Sequence, residues 1–289
     1  MSVIRVVSYN IHKGRSALGR RQSLYELRLG LHGLRPDLVF LQEVQGRNEV
    51  SNVLHAQHES LAAGLHMEAA YGRNAIRAAT DHGNALLSRF RILSYENQDI
   101  SDHRMEQRGL LHALVQIKDQ QVHCFVVHLG LFAGSRVRQI GALVDRIDQL
   151  VPDDAPLLIA GDFNDWKDTL SPLFVRRLGV YEVFAHAQRA HNPGLPTLRE
   201  SVRSLRDALL HGQPRPGGKG PVLRNNQLGV EGAFCLLPPP RTFPAAFPWF
   251  RLDRIYQRGF AVRSARVLSG APWRALSDHS PILAELELP

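Results

Sequence analysis

Cysteine is nearly absent from this chain of 289 residues, which contains only Cys124 and Cys235. Two cysteines so far apart provide neither a disulfide framework nor a zinc site with the usual ligand spacing. Cys124 lies inside an apolar run, which predicts a small buried side chain rather than a reactive thiol. The sequence therefore excludes a disulfide-stapled scaffold and a zinc-finger domain.

Long apolar segments are also missing. No apolar stretch reaches the ~18 residues that suggest a membrane-spanning helix. The chain opens almost directly into a strand, Val3 to Tyr9, without the charged and apolar regions of a signal peptide. These features predict a cytoplasmic protein, although the mature form of a secreted protein would look the same. The 44% hydrophobic content is enough for a large core.

Lysine occurs at only four positions, although the net charge is +8. The positive charge is therefore almost all arginine, whose forked guanidinium binds phosphate oxygens well. This excess fits a polyanionic partner such as nucleic acid, and it fits an ordinary solubilising surface equally well.

What the chain does contain is a set of short polar motifs, each at an apolar, strand-like run. They are Ser8-Tyr9-Asn10, Leu41-Gln42-Glu43-Val44, Val127-His128-Leu129, Gly161-Asp162-Phe163-Asn164, Leu252-Asp253-Arg254-Ile255 and Ser277-Asp278-His279-Ser280. Apolar runs predict core strands, so we expect their ends to converge at one edge of a sheet. The carboxylates, amides and imidazoles gathered there would suit a hard divalent cation and a phosphate ester.

These motifs, in this order, resemble the endonuclease/exonuclease/phosphatase superfamily, whose fold is that of deoxyribonuclease I. The resemblance runs from Ser8 to Ile282, and the segments Thr242 to Pro244 and Arg251 to Tyr256 resemble bacterial members of unassigned substrate. It implies one domain, residues 1–289, of the α/β (α+β) class. The implied architecture is a four-layer sandwich in which two mixed β-sheets pack face to face with helices on the outside.

Apolar periodicity predicts the individual elements. The predicted helices are 23–34, 50–64 and 136–150, and the predicted strands include 3–7, 37–41, 110–117, 122–127, 157–160, 252–257, 262–267 and 282–288. Residues 83–88 and 92–93 are predicted to form two strands that pair with each other. Residues 189–240 are rich in proline and glycine and predict a loop insertion, with one helix near 201–210. A lid and a surface loop both fit this segment, and its composition slightly favours the surface loop.

The resemblance implies a metal site formed by Glu43, Asn10 and Asp278. Glu43 matches the main magnesium ligand of the family, and Mn²⁺ is the alternative to Mg²⁺. An unpaired carboxylate at the end of a core strand is costly unless it is exposed or bound to a cation. Asn10 offers an amide oxygen to the metal and an N–H to phosphate, although by itself it would read as a turn residue.

The resemblance also implies catalytic roles. Asp162 would orient or deprotonate the attacking water, and Asn164 would hold the phosphate or the nucleophile. Gly161 permits a tight turn, and residues two apart in an extended segment share a face, so both side chains would meet one phosphate. An Asx turn is the alternative for Asn164.

His279 would act as general base or transition-state stabiliser, with Asp253 accepting a hydrogen bond that fixes its tautomer. The alternatives are a buried salt bridge for Asp253 with Arg254 and a helix N-cap for Ser277 or Asp278. His128 matches the phosphate-contacting histidine of the family and would act as an acid toward the leaving oxygen.

Further positions match less distinctive family segments. Arg108 is a candidate phosphate clamp, Asn84 lies in a segment near the family site, and His12 and Lys13 follow Asn10 closely enough to contact substrate. For each of them a structural role fits equally well. Gln45 replaces an arginine that contacts DNA in deoxyribonuclease-like members, which weakens a duplex-DNA interpretation.

The sequence therefore predicts a Mg²⁺-dependent phosphoesterase that hydrolyses a phosphodiester by in-line attack of an activated water. Its partner would be a phosphate-ester substrate. Nucleic acid, a membrane lipid head group and small phosphodiesters all fit, and no obligate protein partner is evident. One alternative is a lipid-directed phosphodiesterase whose aromatic segment, Phe243 to Phe250, contacts the membrane; packing beneath Arg251 to Asp253 is the expected role of that segment. The other is a catalytically silent basic nucleic-acid-binding module.

Overall fold

The computed structural model describes residues 2–103, 106–167, 170–186 and 240–288. The predicted insertion at 189–240 and the helix expected within it lie outside these residues, apart from Pro240. In chain order the described strands are β1 (Ser2–Asn10), β2 (Leu38–Asn48), β3 (Glu68–Ile76), β4 (Thr80–Ser88), β5 (Ile92–Asp99), β6 (Gly109–Ile117), β7 (Gln120–His128), β8 (Leu157–Asp162), β9 (Tyr181–Glu182), β10 (Asp253–Arg258), β11 (Ala261–Val267) and β12 (Ile282–Leu288).

These strands form two six-stranded sheets. The first has the order β11-β12-β1-β2-β4-β3 and the second the order β5-β6-β7-β8-β10-β9. Both sheets are mixed, because β1 runs parallel to β2 and β7 runs parallel to β8, whereas their other neighbours are antiparallel.

Helices cover the outer face of each sheet. The described helices are α1 (Leu24–Leu34), α2 (Gln57–Leu65), α3 (Ala133–Leu150), α4 (Ser171–Leu178), α5 (Val183–His186) and α6 (Trp273–Leu276). Leu27 and Leu31 of α1 recur at helical spacing and pack against the first sheet, whereas Ile140 and Leu143 of α3 pack against the second. None of the described helices is long and apolar enough to span a membrane.

Strand alternation builds the core between the layers. In β1, Val6 faces the space between the sheets and Val7 faces α1, and both are fully buried. Cys124 of β7 lies in the layer between the sheets, as its apolar surroundings predict. The expected four-layer α/β sandwich is therefore confirmed.

The predicted helix over 50–64 begins later than expected. The chain forms a 3-10 turn at Asn52–Leu54, and α2 begins only at Gln57. The side-chain oxygen of Asn48 accepts hydrogen bonds from the backbone N–H groups of Val50 and Ser51, at 3.0 and 2.8 Å. These bonds satisfy donors that would otherwise start a helix, so a turn forms first.

The predicted pairing of residues 83–88 with 92–93 is wrong. Both segments are strands, but β4 pairs with β2 and β3 in the first sheet, whereas β5 pairs with β6 in the second. The short connection therefore crosses between the sheets instead of closing a hairpin. Ser88 supports the crossing, because its hydroxyl donates to the carbonyl of Phe90 and accepts from the Phe90 N–H.

Candidate active site

Strand ends from both sheets meet at one edge of the sandwich. β7 and β8 end at His128 and Asp162, which are direct partners in the register, and Asp162 also pairs with Asp253 at the start of β10. β1 of the other sheet ends at Asn10. Three adjacent strands thus place a carboxylate between an imidazole and a second carboxylate, as the strand-end motifs predict.

Asp162 is the centre of the contacts at this edge. Its Oδ2 atom lies 3.3 Å from Asn10 Nδ2, 3.5 Å from His128 Nε2 and 3.7 Å from His279 Nε2. All four side chains are buried. The Asn10 contact joins the two sheets, so the site depends on their packing.

His279 and Asp253 form a hydrogen-bonded pair. The Nδ1 atom of His279 lies 2.9 Å from Asp253 Oδ2. When Nδ1 carries the proton and donates it to Asp253, Nε2 is directed toward Asp162. Asp253 is itself held by its backbone N–H, which donates to the Thr242 hydroxyl at 3.3 Å. The structure therefore brings this expected pair together.

The neighbouring carboxylates favour the protonated, imidazolium form of His279. Burial alone would lower the pKa of His279, but the carboxylates of Asp253 and Asp162 outweigh burial and raise this pKa well above its ordinary value. Burial raises the pKa of Asp162, and His279 opposes that rise. The cluster therefore combines a protonated imidazole with a carboxylate that is more basic than usual.

A β-bulge positions the side chain of Glu43 at the site. Between Leu41 and Val44 the register of β2 against β4 shifts, and Glu43 takes a left-handed conformation with φ of 54°. Such strain costs about 1–3 kcal/mol and is typical of functional positions. Burial opposes ionisation of Glu43, but His128 and Lys13 outweigh it and hold its pKa well below the usual range.

His128 lowers the pKa of Glu43 only in its protonated form, and near neutral pH its own lowered pKa leaves it neutral. Burial lowers its pKa well below the ordinary value, and the Arg108 guanidinium adds to the effect. Lys13 is therefore the cation that pairs with Glu43 near neutral pH, and its Nζ atom lies 2.7 Å from Glu43 Oε2.

Asp278 lies beside the end of β1. Its Oδ1 atom is 3.3 Å from the hydroxyl of Ser277 and 3.8 Å from Nδ1 of His12. The same hydroxyl lies 2.7 Å from the carbonyl oxygen of Asn10 and donates to it. The N-cap interpretation of Ser277 is wrong, because α6 ends at Leu276 and Ser277 follows its last turn.

Asn164 does not continue the strand in extended form. Its φ is 49°, and its N–H donates to Asp162 Oδ1 at 3.0 Å, which closes an Asx turn. Its side-chain amide donates to the carbonyl of Leu129 at 2.9 Å. Gly161 lies within β8 rather than in a turn: a Cβ atom there would lie 1.9 Å from the Val127 carbonyl oxygen. Close approach of two strands therefore explains this glycine.

Arg108 and Asn84 lie near the cluster and have different hydrogen-bond partners. Arg108 donates to Glu106 Oε1 at 2.8 Å and is close enough to His128 to lower its pKa. Asn84 lies opposite the bulge and is fully buried, and its amide donates to the carbonyls of Gly109 and Val126 at 2.9 and 3.2 Å. The contacts of Asn84 therefore join the two sheets.

The described residues include one group of side chains close enough to share a metal ion. Ligand atoms of Asp162, Asp253 and His279 lie within 4.8 Å of one another, and Asp253 Oδ1 is buried with no hydrogen-bond partner in the described part of the chain. This group differs from the expected ligand set. Its imidazole is already hydrogen-bonded to one of its carboxylates, so we interpret it as a proton-relay unit rather than as the primary metal site.

Sequence reasoning underestimated two neighbours of the site. Substrate contact and a structural role fitted Lys13 equally well, and its observed partner is Glu43. The ring of Phe243 lies 4.8 Å from the ring of His279, centre to centre. The Thr242 to Pro244 segment was visible as a motif, but nothing in the sequence says that it packs on His279.

Two mixed sheets packed face to face, with carboxylates and imidazoles at one edge, define a deoxyribonuclease-I-like sandwich. The chain belongs to the endonuclease/exonuclease/phosphatase family, whose sequence model matches residues 7–279. Members of this family are typically hydrolytic nucleases or phosphatases. The protein is similar to Escherichia coli (strain K12) "Uncharacterized protein YbhP", with 34% identity over 293 residues that cover 98% of this chain and 96% of that protein.

Solved structures share the fold. An endonuclease/exonuclease/phosphatase from Beutenbergia cavernae DSM 12333 superposes with a TM-score of 0.68 at 15% identity, covering 100% of this chain and 72% of that one. D. rerio TDP2, complexed with a single strand DNA product, gives a TM-score of 0.57 at 17% identity, covering 99% and 100% of the two chains. At these identities the likeness concerns the fold alone.

Proposed function

We propose that this protein is a metal-dependent phosphodiesterase that hydrolyses its substrate with an activated water. The observation that carries the proposal is the buried chain from Asp253 through His279 to Asp162, with contacts of 2.9 and 3.7 Å. A carboxylate–imidazole pair next to a second carboxylate can hold and move a proton in a water-poor site.

The charges support separate roles for these residues. Asp162, whose pKa is raised by burial, orients the water and accepts its proton. His279, held as an imidazolium by Asp253, stabilises negative charge that develops on the phosphoryl oxygens. Of the two roles that family resemblance implies for His279, the raised pKa favours transition-state stabilisation over general base catalysis.

The remaining side chains are placed to contact the phosphate and the leaving group. Asn10 and Asn164 present amides at the edge where Asp162 lies. His128 lies 3.5 Å from Asp162 and is neutral, so it is placed to donate a hydrogen bond from its ring N–H to the leaving oxygen rather than to act as an acid. Arg108 and Asn84 are the more distant candidates for phosphate contact, and Asn84 already donates to two carbonyls.

The donor set fits a hard divalent cation. Glu43 is ionised, and Asn10 and Asp278 add amide and carboxylate oxygens, which are the ligands that Mg²⁺ prefers. When bound, Mg²⁺, or Mn²⁺ in its place, polarises the phosphoryl oxygen and neutralises charge. The ammonium of Lys13 in contact with Glu43 indicates that this carboxylate attracts a cation.

A substrate panel tests this function. Bis-p-nitrophenyl phosphate, single-stranded oligonucleotides, plasmid, abasic duplex and phospholipid vesicles are each incubated with Mg²⁺, Mn²⁺ or EDTA. We expect metal-dependent hydrolysis of the small diester and of at least one natural class. Absence of hydrolysis for every substrate with both metals would contradict the proposal and favour a silent binding module.

A further inference from the structure

Exposed aromatic side chains gather on loops that border the candidate active site. Among the described residues, seven aromatic side chains are counted as exposed, and five of them lie on three such loops: Phe132, Trp166, Phe247, Trp249 and Phe250. The other two, Tyr25 and Tyr95, lie on α1 and β5. Single exposed apolar residues are ordinary, but a cluster beside a site indicates a binding surface.

The segment 242–250, here called the apolar loop, supplies three of the five. Its ends pair through Phe243 and Phe250, where the Phe250 N–H donates to the Phe243 carbonyl at 2.8 Å. Between them, Phe247 and Trp249 are 66% and 61% exposed and contact each other edge to face, with ring centres 5.3 Å apart. The expectation that the segment packs beneath Arg251 to Asp253 is therefore wrong for Phe247 and Trp249. The loop contains no charged residue.

The apolar loop is attached directly to the candidate catalytic residues. The N–H of Ala245 donates to the carbonyl of Asp278 at 2.7 Å, and the N–H of Ser280 donates to the carbonyl of Thr242 at 2.8 Å. A surface bound by this loop would consequently lie beside His279, against which Phe243 packs.

The neighbouring loops extend the apolar surface. The ring of Trp166 lies 5.8 Å from that of Phe250, and the guanidinium of Arg136 lies 5.9 Å from the Trp166 ring centre. Arg136 in turn donates to the carbonyl of Leu131, which is exposed together with Phe132. Contacts therefore lead from the apolar loop to the loop that follows His128.

We propose that this surface docks on a lipid membrane, and that the substrate of the phosphodiesterase proposed above is a membrane phospholipid. The substrate assignment rests on that proposed function. Tryptophan and phenylalanine favour the boundary between head groups and acyl chains. The exposed Arg241 directly precedes the uncharged loop, and the chain carries a net charge of +8, which complements anionic head groups.

The rival occupant is single-stranded nucleic acid, which stacks its bases on aromatic rings. Such sites combine rings with cations that follow the phosphates. Here Arg136 is buried and donates to backbone carbonyls, and Arg138 is paired with Asp102. Leu131 and Val137 add exposed aliphatic area that offers no face for stacking. These features favour lipid.

Vesicle sedimentation in EDTA tests docking independently of turnover. The probe is a vesicle of equal parts phosphatidylglycerol and phosphatidylcholine, and the variant is Phe247→Ser with Trp249→Ser. The matched control is Tyr25→Ser with Tyr95→Ser, which removes the two exposed aromatics that lie on α1 and β5 instead of on the three loops. We expect the first variant to bind about tenfold more weakly, or worse, and the control to bind like the wild type. Equal binding by both variants, or no binding by the folded wild type, would overturn the proposal.

Fluorescence quenching reports the depth of docking. Lipids with brominated acyl chains should quench the wild type, Trp249→Phe should reduce that quenching, and Trp249→Phe with Trp166→Phe should remove most of it. If the Phe247→Ser, Trp249→Ser variant lost affinity for oligo(dT) while it kept vesicle binding, nucleic acid would be the occupant and the lipid proposal would fail.

Hydrolysis separates this inference from the proposed function. Wild-type protein that hydrolyses bis-p-nitrophenyl phosphate with Mg²⁺ but spares phospholipid in the vesicles it binds would overturn the substrate inference and leave the phosphodiesterase intact. Wild-type protein that binds vesicles through the apolar loop and hydrolyses neither substrate would overturn the proposed function and support docking.

Discussion

The ammonium of Lys13 lies 2.7 Å from the carboxylate of Glu43, at the position where the sequence motifs predict a metal ligand. Both residues have left-handed backbone conformations, Lys13 in the turn after β1 and Glu43 in the bulge of β2. The pair is partly exposed, with side-chain exposures of 37% and 20%. A cation bound by Glu43 therefore competes with an internal one.

We predict that Lys13→Met strengthens divalent metal binding. Removal of the ammonium leaves Glu43 without its competing cation, and a partly exposed ion pair contributes about 0.2–1 kcal/mol, so the affinity should rise by up to about fivefold. Isothermal titration with Mg²⁺ measures the change. Weaker metal binding in a folded Lys13→Met protein would show that the lysine supports the metal site instead of competing with it.

Glu43→Gln should keep the fold and lose most turnover. The substitution is nearly isosteric but removes the charge that the strained bulge presents, and loss of one such group costs about 10²–10³-fold in rate. Hydrolysis of bis-p-nitrophenyl phosphate across a Mg²⁺ titration measures it. Glu49→Gln, an exposed position just beyond β2, serves as the control. Wild-type turnover that persists in excess EDTA would rule out this role.

Asp253 and His279 should behave as one unit. Asp253→Asn and His279→Gln should each lower kcat by a factor of about 10²–10⁴, and the double variant should lose little more, because each residue acts through the other. The measurement is a double-mutant cycle on proteins whose folding is checked by circular dichroism. Additive losses in free energy would contradict a coupled pair.

Gly161→Ala should destabilise the protein by about 3 kcal/mol or more, because the added Cβ meets a backbone carbonyl and φ is 152°. Thermal and urea unfolding measure the loss. Gly141→Ala is the matched control: it lies in α3 with open space around the added Cβ, so it should stabilise by about 0.5–1 kcal/mol. Equal stabilities of the two variants would contradict the close strand approach.

A histidine pair away from the site should make stability depend on pH. His112 Nε2 lies 3.0 Å from His123 Nδ1. Burial, aided by His123, lowers the pKa of His112 from 6.5 to about 4. Between pH 6.5 and about pH 4 the unfolded chain binds more protons than the folded one. The free energy of unfolding is therefore highest above pH 6.5 and decreases as pH falls toward 4.

The test compares Tm across this range. His112→Gln should show a smaller fall in Tm than the wild type between about pH 8 and about pH 5, since it removes the titrating group. His32→Gln, at an exposed position on α1, should keep the wild-type slope. A wild-type slope in His112→Gln would mean that other groups carry the pH dependence.

The apolar runs of the sequence predict the core strands and the edge that carries the site, whereas the four-layer order came from the family resemblance. Apolar runs identify core strands, and a polar residue at the end of such a run must lie at a sheet edge, because side chains inside the core cannot be charged without a partner. Asn10, His128, Asp162 and Asp253 were located in this way, and each of them lies at a strand terminus.

The contacts of those residues depend on tertiary packing. Long-range register places β4 and β5 in different sheets, produces the bulge at Glu43 and brings Lys13 to Glu43. Local periodicity does not encode this register. Exposure of Phe247 and Trp249 depends on the same packing. Every hydrophobic residue favours burial. The sequence therefore does not distinguish the apolar side chains that the folded core buries from those that it leaves exposed.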